Sequence, residues 1–285
     1  MNNASYPTLI GAAELIHHLT DPDWRIFDCR HDLRDPEFGR RAYAAGHLPG
    51  AQFLHLDEDL SGPTTGTNGR HPLPNPAQLV GRLEACGVGN HTQVVAYDDA
   101  GGMFAARLWW LLRWLGHHRV AVLDGGLQAW GRAAGELNQQ TPRYPPKAYV
   151  MALAPLKVDV SGVQAKLGKS EMLLIDARSP DRFRGENETL DPVGGHIPGA
   201  INHWFRENLD ANGCFKEASE LREQFGALLK GHDVRHVVHQ CGSGVTACHN
   251  VLAMEAAGLP GSRLYAGSWS EWCADPSRPV ATGPA

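Results

Sequence analysis

The sequence has few cysteines, and none of them stands in a metal-binding pattern. No two cysteines form a C-x-x-C pair, and no group of Cys and His has the spacing of a zinc site. We therefore expect isolated thiols in a reduced, cytoplasmic protein without a metal site. The six cysteines are Cys29, Cys86, Cys214, Cys241, Cys248 and Cys273.

Long hydrophobic runs and a strong charge excess are also missing. No stretch approaches the roughly 20 apolar residues that cross a bilayer, and the N-terminus has no basic segment leading into an apolar one. We therefore expect neither membrane association nor a secretory signal. Lys and Arg total 26 against 31 Asp and Glu, a net charge of −5 that gives no general attraction to nucleic acid. An anionic substrate would have to be held by local positive charge.

The chain contains the same unit twice. Gly46–Ala51 reads GHLPGA and Gly195–Ala200 reads GHIPGA, and a segment with Asp-x-Arg precedes each of them. Further on, VVAYDDAGG ending at Gly102 is similar to VVHQCGSG ending at Gly244, and LDGGLQAW is similar to YAGSWSEW. The matching segments keep the same order along the chain, which indicates a duplication.

Short apolar runs alternate with helical patterns in both copies. Strands are predicted at 24–29, 93–97, 120–123, 172–175 and 234–240, and helices at 76–86, 102–115, 219–229 and 246–257. This alternation predicts an α/β fold with two similar domains, each a mainly parallel sheet flanked by helices on both faces. We place the first domain at 1–135, a proline-rich linker at 136–156 and the second domain at 157–285.

Cys241 stands where chemistry is expected in such a fold. A predicted strand runs directly into Cys-Gly-Ser-Gly-Val-Thr, and a predicted helix follows. Sites in open α/β sheets form at the carboxyl ends of strands, beside helix N-termini. Gly242 and Gly244 allow a tight turn whose N–H groups converge, and the helix dipole adds positive charge there. We expect this loop to stabilise the thiolate of Cys241, and equally a persulfide formed on it.

Three other interpretations of the Cys241 loop fit the sequence less well. A buried structural cysteine is the usual fate of a free thiol, but a glycine loop between a strand and a helix packs poorly and suits catalysis. A cysteine phosphatase needs the C-x5-R pattern to neutralise the phosphate, and position 247 is alanine. A nucleotide-binding loop is excluded because G-x-x-x-x-G-K-[ST] is absent.

The first copy has Asp98 at the position that corresponds to Cys241. An aspartate cannot accept a sulfane sulfur. We therefore expect the first domain to be catalytically silent and the second to be the catalytic one.

From about Leu15 to Trp272 the chain resembles the rhodanese-like sulfurtransferases of the tandem-domain type. The GHLPGA, GHIPGA and YAGSWSEW segments and the loop after the second central strand carry this resemblance. The loop CGSGVT is similar to that of the 3-mercaptopyruvate sulfurtransferases. Thiosulfate-using relatives carry basic residues where this chain has Gly242 and Ser243, so the resemblance favours mercaptopyruvate over thiosulfate as the sulfur donor.

The resemblance also implies roles for residues outside Cys241. Two arginines of the second domain would hold the donor's carboxylate and carbonyl oxygens, and Arg178 and Arg184 match them, with Arg182 as a competitor for Arg184. A Ser–His–Asp relay would handle protons. The loop Gly242, Ser243, Gly244, Val245 and Thr246 would cradle the persulfide; the relay would be Ser243, His71 and Asp57, with Asp59 as a competitor for Asp57.

The implied reaction moves sulfur from 3-mercaptopyruvate through a Cys241 persulfide to a thiol, to reduced thioredoxin or to cyanide, and releases pyruvate. No metal or organic cofactor takes part. The alternatives are a thiosulfate:cyanide sulfurtransferase and, from a different class, a non-catalytic rhodanese-like regulatory module.

Overall fold

The computed structural model describes residues 5–284, and its contacts divide them into two compact units. The first unit comprises Met1–Gly62 (described from Ser5), Pro74–Pro155 and Ala211–Cys214. The second comprises Pro63–Leu73, Leu156–Asp210 and Phe215–Ala285 (described to Pro284).

The first unit is built on a five-stranded parallel sheet. Its strands are β1 (Leu9–Ile10), β2 (Trp24–Asp28), β3 (Ala51–Phe53), β4 (Gln93–Tyr97) and β5 (Val120–Leu123), in the order β1-β5-β4-β2-β3. Its helices are α1 (Ala12–His17), α2 (Phe38–Ala45), α3 (Pro76–Ala85), α4 (Ala105–Trp114) and α5 (Gly126–Arg132). The continuous apolar runs of β4 and β5 are fully buried, as expected for strands covered on both faces.

Local sequence explains where these helices begin and which of them lie inside. The Asn75 side chain accepts the N–H groups of Ala77 and Gln78, and Pro76 occupies the first position of α3. Helix α4 is apolar nearly all round, so it is almost completely buried. One core cluster of this unit contains Trp24, Ile26, Leu48, Val95, Tyr97, Leu123 and Trp130.

The second unit repeats this topology. Its strands are β6 (Lys157–Val158), β7 (Leu173–Asp176), β8 (Ile201–Asn202), β9 (Val237–Gln240) and β10 (Arg263–Tyr265), all parallel, in the order β6-β10-β9-β7-β8. Its helices are α6 (Val160–Lys166), α7 (Pro180–Arg184), α8 (Ala218–Leu229), α9 (Thr246–Ala256) and α10 (Ser268–Trp272), with 3-10 turns at Phe205–Asn208 and Val234–His236. The two matching sheets confirm the predicted fold class of two similar α/β domains.

Besides Ala211–Cys214, two longer segments belong to a different unit from the one that their place in the sequence suggests. The stretch after α5 packs on the first unit. Ala152 and Ala154 donate their N–H groups to the carbonyls of Leu115 and Trp114. The Asn90 side chain donates to the carbonyl of Val150 and accepts its N–H. Conversely, Pro63–Leu73 lies in the sequence between two stretches of the first unit, but its contacts place it in the second unit. This second segment matters because it carries His71.

Across residues 5–284, each helix is too short or too polar to cross a bilayer.

Candidate active site

Cys241 lies immediately after β9, where the chain turns toward α9. The Gly244 N–H donates to the Cys241 Sγ at 3.2 Å, and the thiol is buried at 2% exposure. Gly244 has φ +78°, and a Cβ there would collide with the carbonyl oxygen of Ala266. Glycine is therefore needed at this position to bring the amide onto the sulfur.

Helix α10 fixes the loop from the other side. The Cys241 N–H donates to the Ser268 Oγ at 3.0 Å, and the Trp269 N–H donates to the carbonyl of Cys241 at 3.0 Å. The Ser270 N–H donates to the carbonyl of Gly242 at 2.9 Å. Because Trp269 and Trp272 are buried in the core of the second unit, the loop is held by a rigid element.

The corresponding loop of the first unit shows what this architecture binds. The Asp98 carboxylate accepts four backbone N–H groups at 2.7–2.9 Å, from Ala100, Gly102, Phe104 and Ala105. Burial raises the pKa of Asp98, while these four contacts act in the opposite direction. A side-chain anion thus fills a ring of amides beside α4, at the position that Cys241 takes in the second unit.

Ser243 and His71 are brought together although they are far apart in sequence. The Ser243 Oγ and the His71 Nδ1 are 2.7 Å apart, and both residues are buried. His71 reaches this position because Pro63–Leu73 packs within the second unit, where the Arg70 N–H donates to the Ser270 Oγ at 3.1 Å. The pair of Ser243 and His71 carries an exchangeable proton, and Ser243 is only two residues after Cys241 in the chain.

Asp57 and Asp59 lie in the first unit. The Asp57 carboxylate is 3.9 Å from the His31 Nε2 and 4.0 Å from the His55 Nδ1. Asp59 accepts the His55 N–H at 2.8 Å and pairs with Arg82 at 2.9 Å. The contacts of Asp59 fix a turn, whereas Asp57 is partly exposed beside two histidines.

His31, His55 and Asp57 are also close enough together to be considered as metal ligands. However, the His55 Nδ1 accepts the Asp57 N–H at 3.1 Å, and its Nε2 contacts the carbonyl of Pro36 at 3.0 Å. Both ring nitrogens of His55 therefore hold the turn, and this contact pattern does not favour a metal site.

Arg178 is committed to the fold of the second unit. Its guanidinium pairs with Asp176 through several contacts and donates to the carbonyl of Gly195 at 2.8 Å. In the first unit, Arg30 makes the same contacts with Asp28 and with the carbonyl of Gly46. Burial lowers the pKa of Arg178, but its hydrogen bonds with Asp176 and the attraction of Asp176 and Glu188 together raise it. Because the first unit, in which no catalysis is expected, makes the same contacts, these contacts indicate a structural role.

Arg182 and Arg184 differ in their surroundings. Arg184 pairs with Glu186 at 2.6 Å on the exposed surface. Arg182 instead pairs with Glu188 at 2.8 Å, and its Nη2 would lie 3.4 Å from a Cβ placed on Gly242. Arg182 is therefore the arginine of α7 that stands beside the residue following Cys241.

Arg70 and Asp191 were not singled out from the sequence. The Nη2 of Arg70 would lie 2.9 Å from a Cβ on Gly242, and its Nη1 pairs with the nearly buried carboxylate of Asp191. The sequence did hold one signal, since Arg70 directly precedes the predicted His71.

Three other buried thiols have a raised pKa. Burial raises the pKa of Cys29 well above its ordinary value and that of Cys273 to about 11. It also raises the pKa of Cys86, although Arg82 acts against this. None of the six cysteines, all within the described part of the chain, forms a disulfide.

The rhodanese-like domain model matches the chain twice, over residues 11–133 and 159–275. A Pseudomonas aeruginosa protein named as a probable 3-mercaptopyruvate sulfurtransferase is 50% identical over 96% of this chain and 98% of its own length. A Mycobacterium tuberculosis protein named as a putative thiosulfate sulfurtransferase is 41% identical over 97% of this chain and 98% of its own length. The structure of 3-mercaptopyruvate sulfurtransferase from Leishmania major aligns with a TM-score of 0.83 at 31% identity, covering 93% of this chain and 74% of that one.

Proposed function

Because the chain belongs to the rhodanese-like domain family, of which it carries two copies, we propose that it is a 3-mercaptopyruvate sulfurtransferase whose sulfur carrier is Cys241. The observation that carries this proposal is the amide loop between β9 and α9. One amide of that loop already contacts the Cys241 sulfur, and the equivalent loop of the first unit holds the Asp98 carboxylate with four amides. A thiolate and a persulfide are anions that such a loop stabilises.

In the first half-reaction the Cys241 thiolate attacks the sulfur of 3-mercaptopyruvate. An S–S bond forms, the bond between carbon and sulfur breaks, and its electron pair remains on carbon as the enolate of pyruvate. One proton converts the enolate to pyruvate, so the enzyme is left as the Cys241 persulfide. Arg182 is the proposed partner of the donor's carboxylate, because it stands beside Gly242 and keeps 20% of its side chain exposed.

The proton is proposed to come from the pair formed by Ser243 and His71. Their separation of 2.7 Å lets the imidazole supply a proton through the serine hydroxyl and regain it from solvent. Asp57 completes this relay only as a prediction from the family resemblance, since its observed neighbours are His31 and His55.

In the second half-reaction a nucleophile takes the outer sulfur of the persulfide and releases the Cys241 thiolate. A thiol becomes a persulfide, and cyanide becomes thiocyanate. Reduced thioredoxin would become a disulfide and release hydrogen sulfide. A thiol acceptor also fits the cytoplasmic location predicted from the isolated cysteines. No step needs a metal or an organic cofactor, because sulfur moves between nucleophiles.

The test is mass spectrometry of the protein after treatment with 3-mercaptopyruvate and no acceptor. We expect the mass of one added sulfur atom on the peptide containing Cys241, together with release of pyruvate. Cys241→Ser should abolish both, while Cys214→Ser, which changes a thiol outside the loop, should leave both intact. An unmodified Cys241 in the parent protein would reject the proposal and favour a non-catalytic module.

A thiosulfate sulfurtransferase is the second candidate, favoured by the name of the Mycobacterium tuberculosis relative. Thiosulfate is a dianion without a carbonyl group, and the two donors can be compared directly. A higher kcat/KM for thiosulfate than for 3-mercaptopyruvate would make this the better assignment.

A further inference from the structure

Gly242 lies under two arginines that come from different parts of the chain. A Cβ at this position would be 2.9 Å from the Nη2 of Arg70 and 3.4 Å from the Nη2 of Arg182. Arg182 belongs to α7, whereas Arg70 belongs to Pro63–Leu73, the segment that also carries His71. Both guanidinium groups thus stand over the residue that follows the sulfur-bearing Cys241.

These two arginines remain accessible, in contrast to Arg178. The exposed fraction of the side chain is 30% for Arg70 and 20% for Arg182, but 1% for Arg178. Arg70 also borders a cleft of about 530 Å³ whose lining includes Gly69, Pro192, Ser270 and Cys273. A small donor could therefore reach the guanidinium of Arg70 without any change in the core.

The position of Arg70 is set by two fixed contacts. Its Nη1 pairs with Asp191, whose side chain is 3% exposed, and its backbone N–H donates to the Ser270 Oγ at 3.1 Å. Asp191 also lies 3.5 Å from the Nη2 of Arg182. The nearly buried carboxylate of Asp191 therefore contacts both guanidinium groups and holds them near each other. In this arrangement they can bind one planar anion together.

We propose that Arg70 binds the carboxylate of the sulfur donor together with Arg182, and that Asp191 is the residue that positions Arg70. Arg70 thereby determines specificity for donors that carry a carboxylate. This inference rests on the proposed function, since it assigns the donor's binding group at the same site.

The test compares Arg70→Ala and Arg70→Gln with the parent protein in steady-state kinetics with 3-mercaptopyruvate. Loss of a hydrogen-bonded charge predicts a KM about 10-fold to 100-fold higher, while kcat stays within about threefold. Arg70→Lys should restore part of the affinity, because it keeps the charge but not the planar fork. Arg235→Ala is the matched control: it removes an arginine from the exposed surface of the same unit and should leave KM unchanged.

The split between KM and kcat separates substrate binding from a structural effect. If Arg70 only held its segment in place, its loss would displace His71, so that kcat would fall and KM would not rise. Asp191→Asn should raise KM in the parent and raise it less in the Arg70→Ala background, where only its contact with Arg182 remains.

An unchanged KM in folded Arg70→Ala and Arg70→Gln variants would overturn the inference. The proposed function would survive that result if Cys241 still gained a sulfur atom from 3-mercaptopyruvate. If Cys241 of the parent protein gained no sulfur atom, the proposed function itself would be wrong. Thermal unfolding of each variant establishes that the proteins compared are folded.

Discussion

Replacing Asp98 with asparagine tests the amide ring in the copy where no reaction is expected. In the native protein one carboxylate oxygen accepts the N–H groups of Ala100 and Gly102, and the other accepts those of Phe104 and Ala105. Asparagine retains one oxygen, but its amide NH2 then faces two N–H donors. Two hydrogen bonds to a charged group are lost.

The size of the effect follows from that count. At about 1.5–3 kcal/mol for each hydrogen bond to a charged group, the loss is about 3–6 kcal/mol. Asparagine also removes a buried charge whose desolvation is costly, so we expect the net destabilisation near the lower end, about 3 kcal/mol. That is a large part of the roughly 5–15 kcal/mol that stabilises an ordinary domain.

Urea unfolding monitored by tryptophan fluorescence measures this change as a shift in midpoint at constant slope. Asp99→Asn is the control, because it makes the same substitution one residue later, and it should not destabilise the protein, since burial and the neighbouring Asp98 already raise the pKa of Asp99. At temperatures where Asp98→Asn is folded, sulfur loading of Cys241 should proceed as in the parent. If Asp98→Asn were as stable as Asp99→Asn, the amide ring would not be the anion site that we infer, and the argument for Cys241 would lose its internal support.

Two further predictions concern the loop and the response to acid. Gly242→Ala should displace both guanidinium groups that stand over this residue and raise KM for 3-mercaptopyruvate. Gly226→Ala, where an added Cβ meets open space, should leave KM unchanged. Equal KM values for the two variants would contradict the two-arginine arrangement. Burial lowers the pKa of His117 from 6.5 to about 4, so the unfolded chain binds more protons and stability falls as pH drops from about 6.5 to about 4. Between pH 7 and pH 5 His117 should lower the free energy of unfolding by roughly 2 kcal/mol. In urea unfolding measured at both pH values, His117→Asn should reduce this pH dependence, while His118→Asn should not.

Much of the sheet that carries the site could be predicted from the sequence. Strands β4 and β5 lie at the predicted residues, because central parallel strands are continuous apolar runs that periodicity identifies. The strand predicted at 234–240 begins instead with the 3-10 turn Val234–His236, and only Val237–Gln240 forms β9. The two-residue strands β1, β6 and β8 were not predicted, because so short an element is defined by its partner strand and not by its own composition.

The candidate site could be predicted where it depends on local sequence. The strand, glycine loop and helix around Cys241 follow from adjacent residues, and the family resemblance located His71, which the structure brings to 2.7 Å from Ser243. The sequence could not tell which of Arg178, Arg182 and Arg184 lies beside Cys241, because their spacing does not show which guanidinium is buried. The duplication held the missing signal: Arg30 of the first unit matches Arg178, and the shared contacts indicate a structural role for both.

The placement of Pro63–Leu73 bears on how the duplicated halves can be separated. A polypeptide beginning after the stretch 136–156 would keep Cys241 but lack both His71 and Arg70. Each half would contain all five strands of its sheet, yet the half with Cys241 would lack the proposed proton donor and one of the two proposed donor-binding arginines. Turnover is therefore expected to need both halves of the chain, although the proposed nucleophile lies in the second.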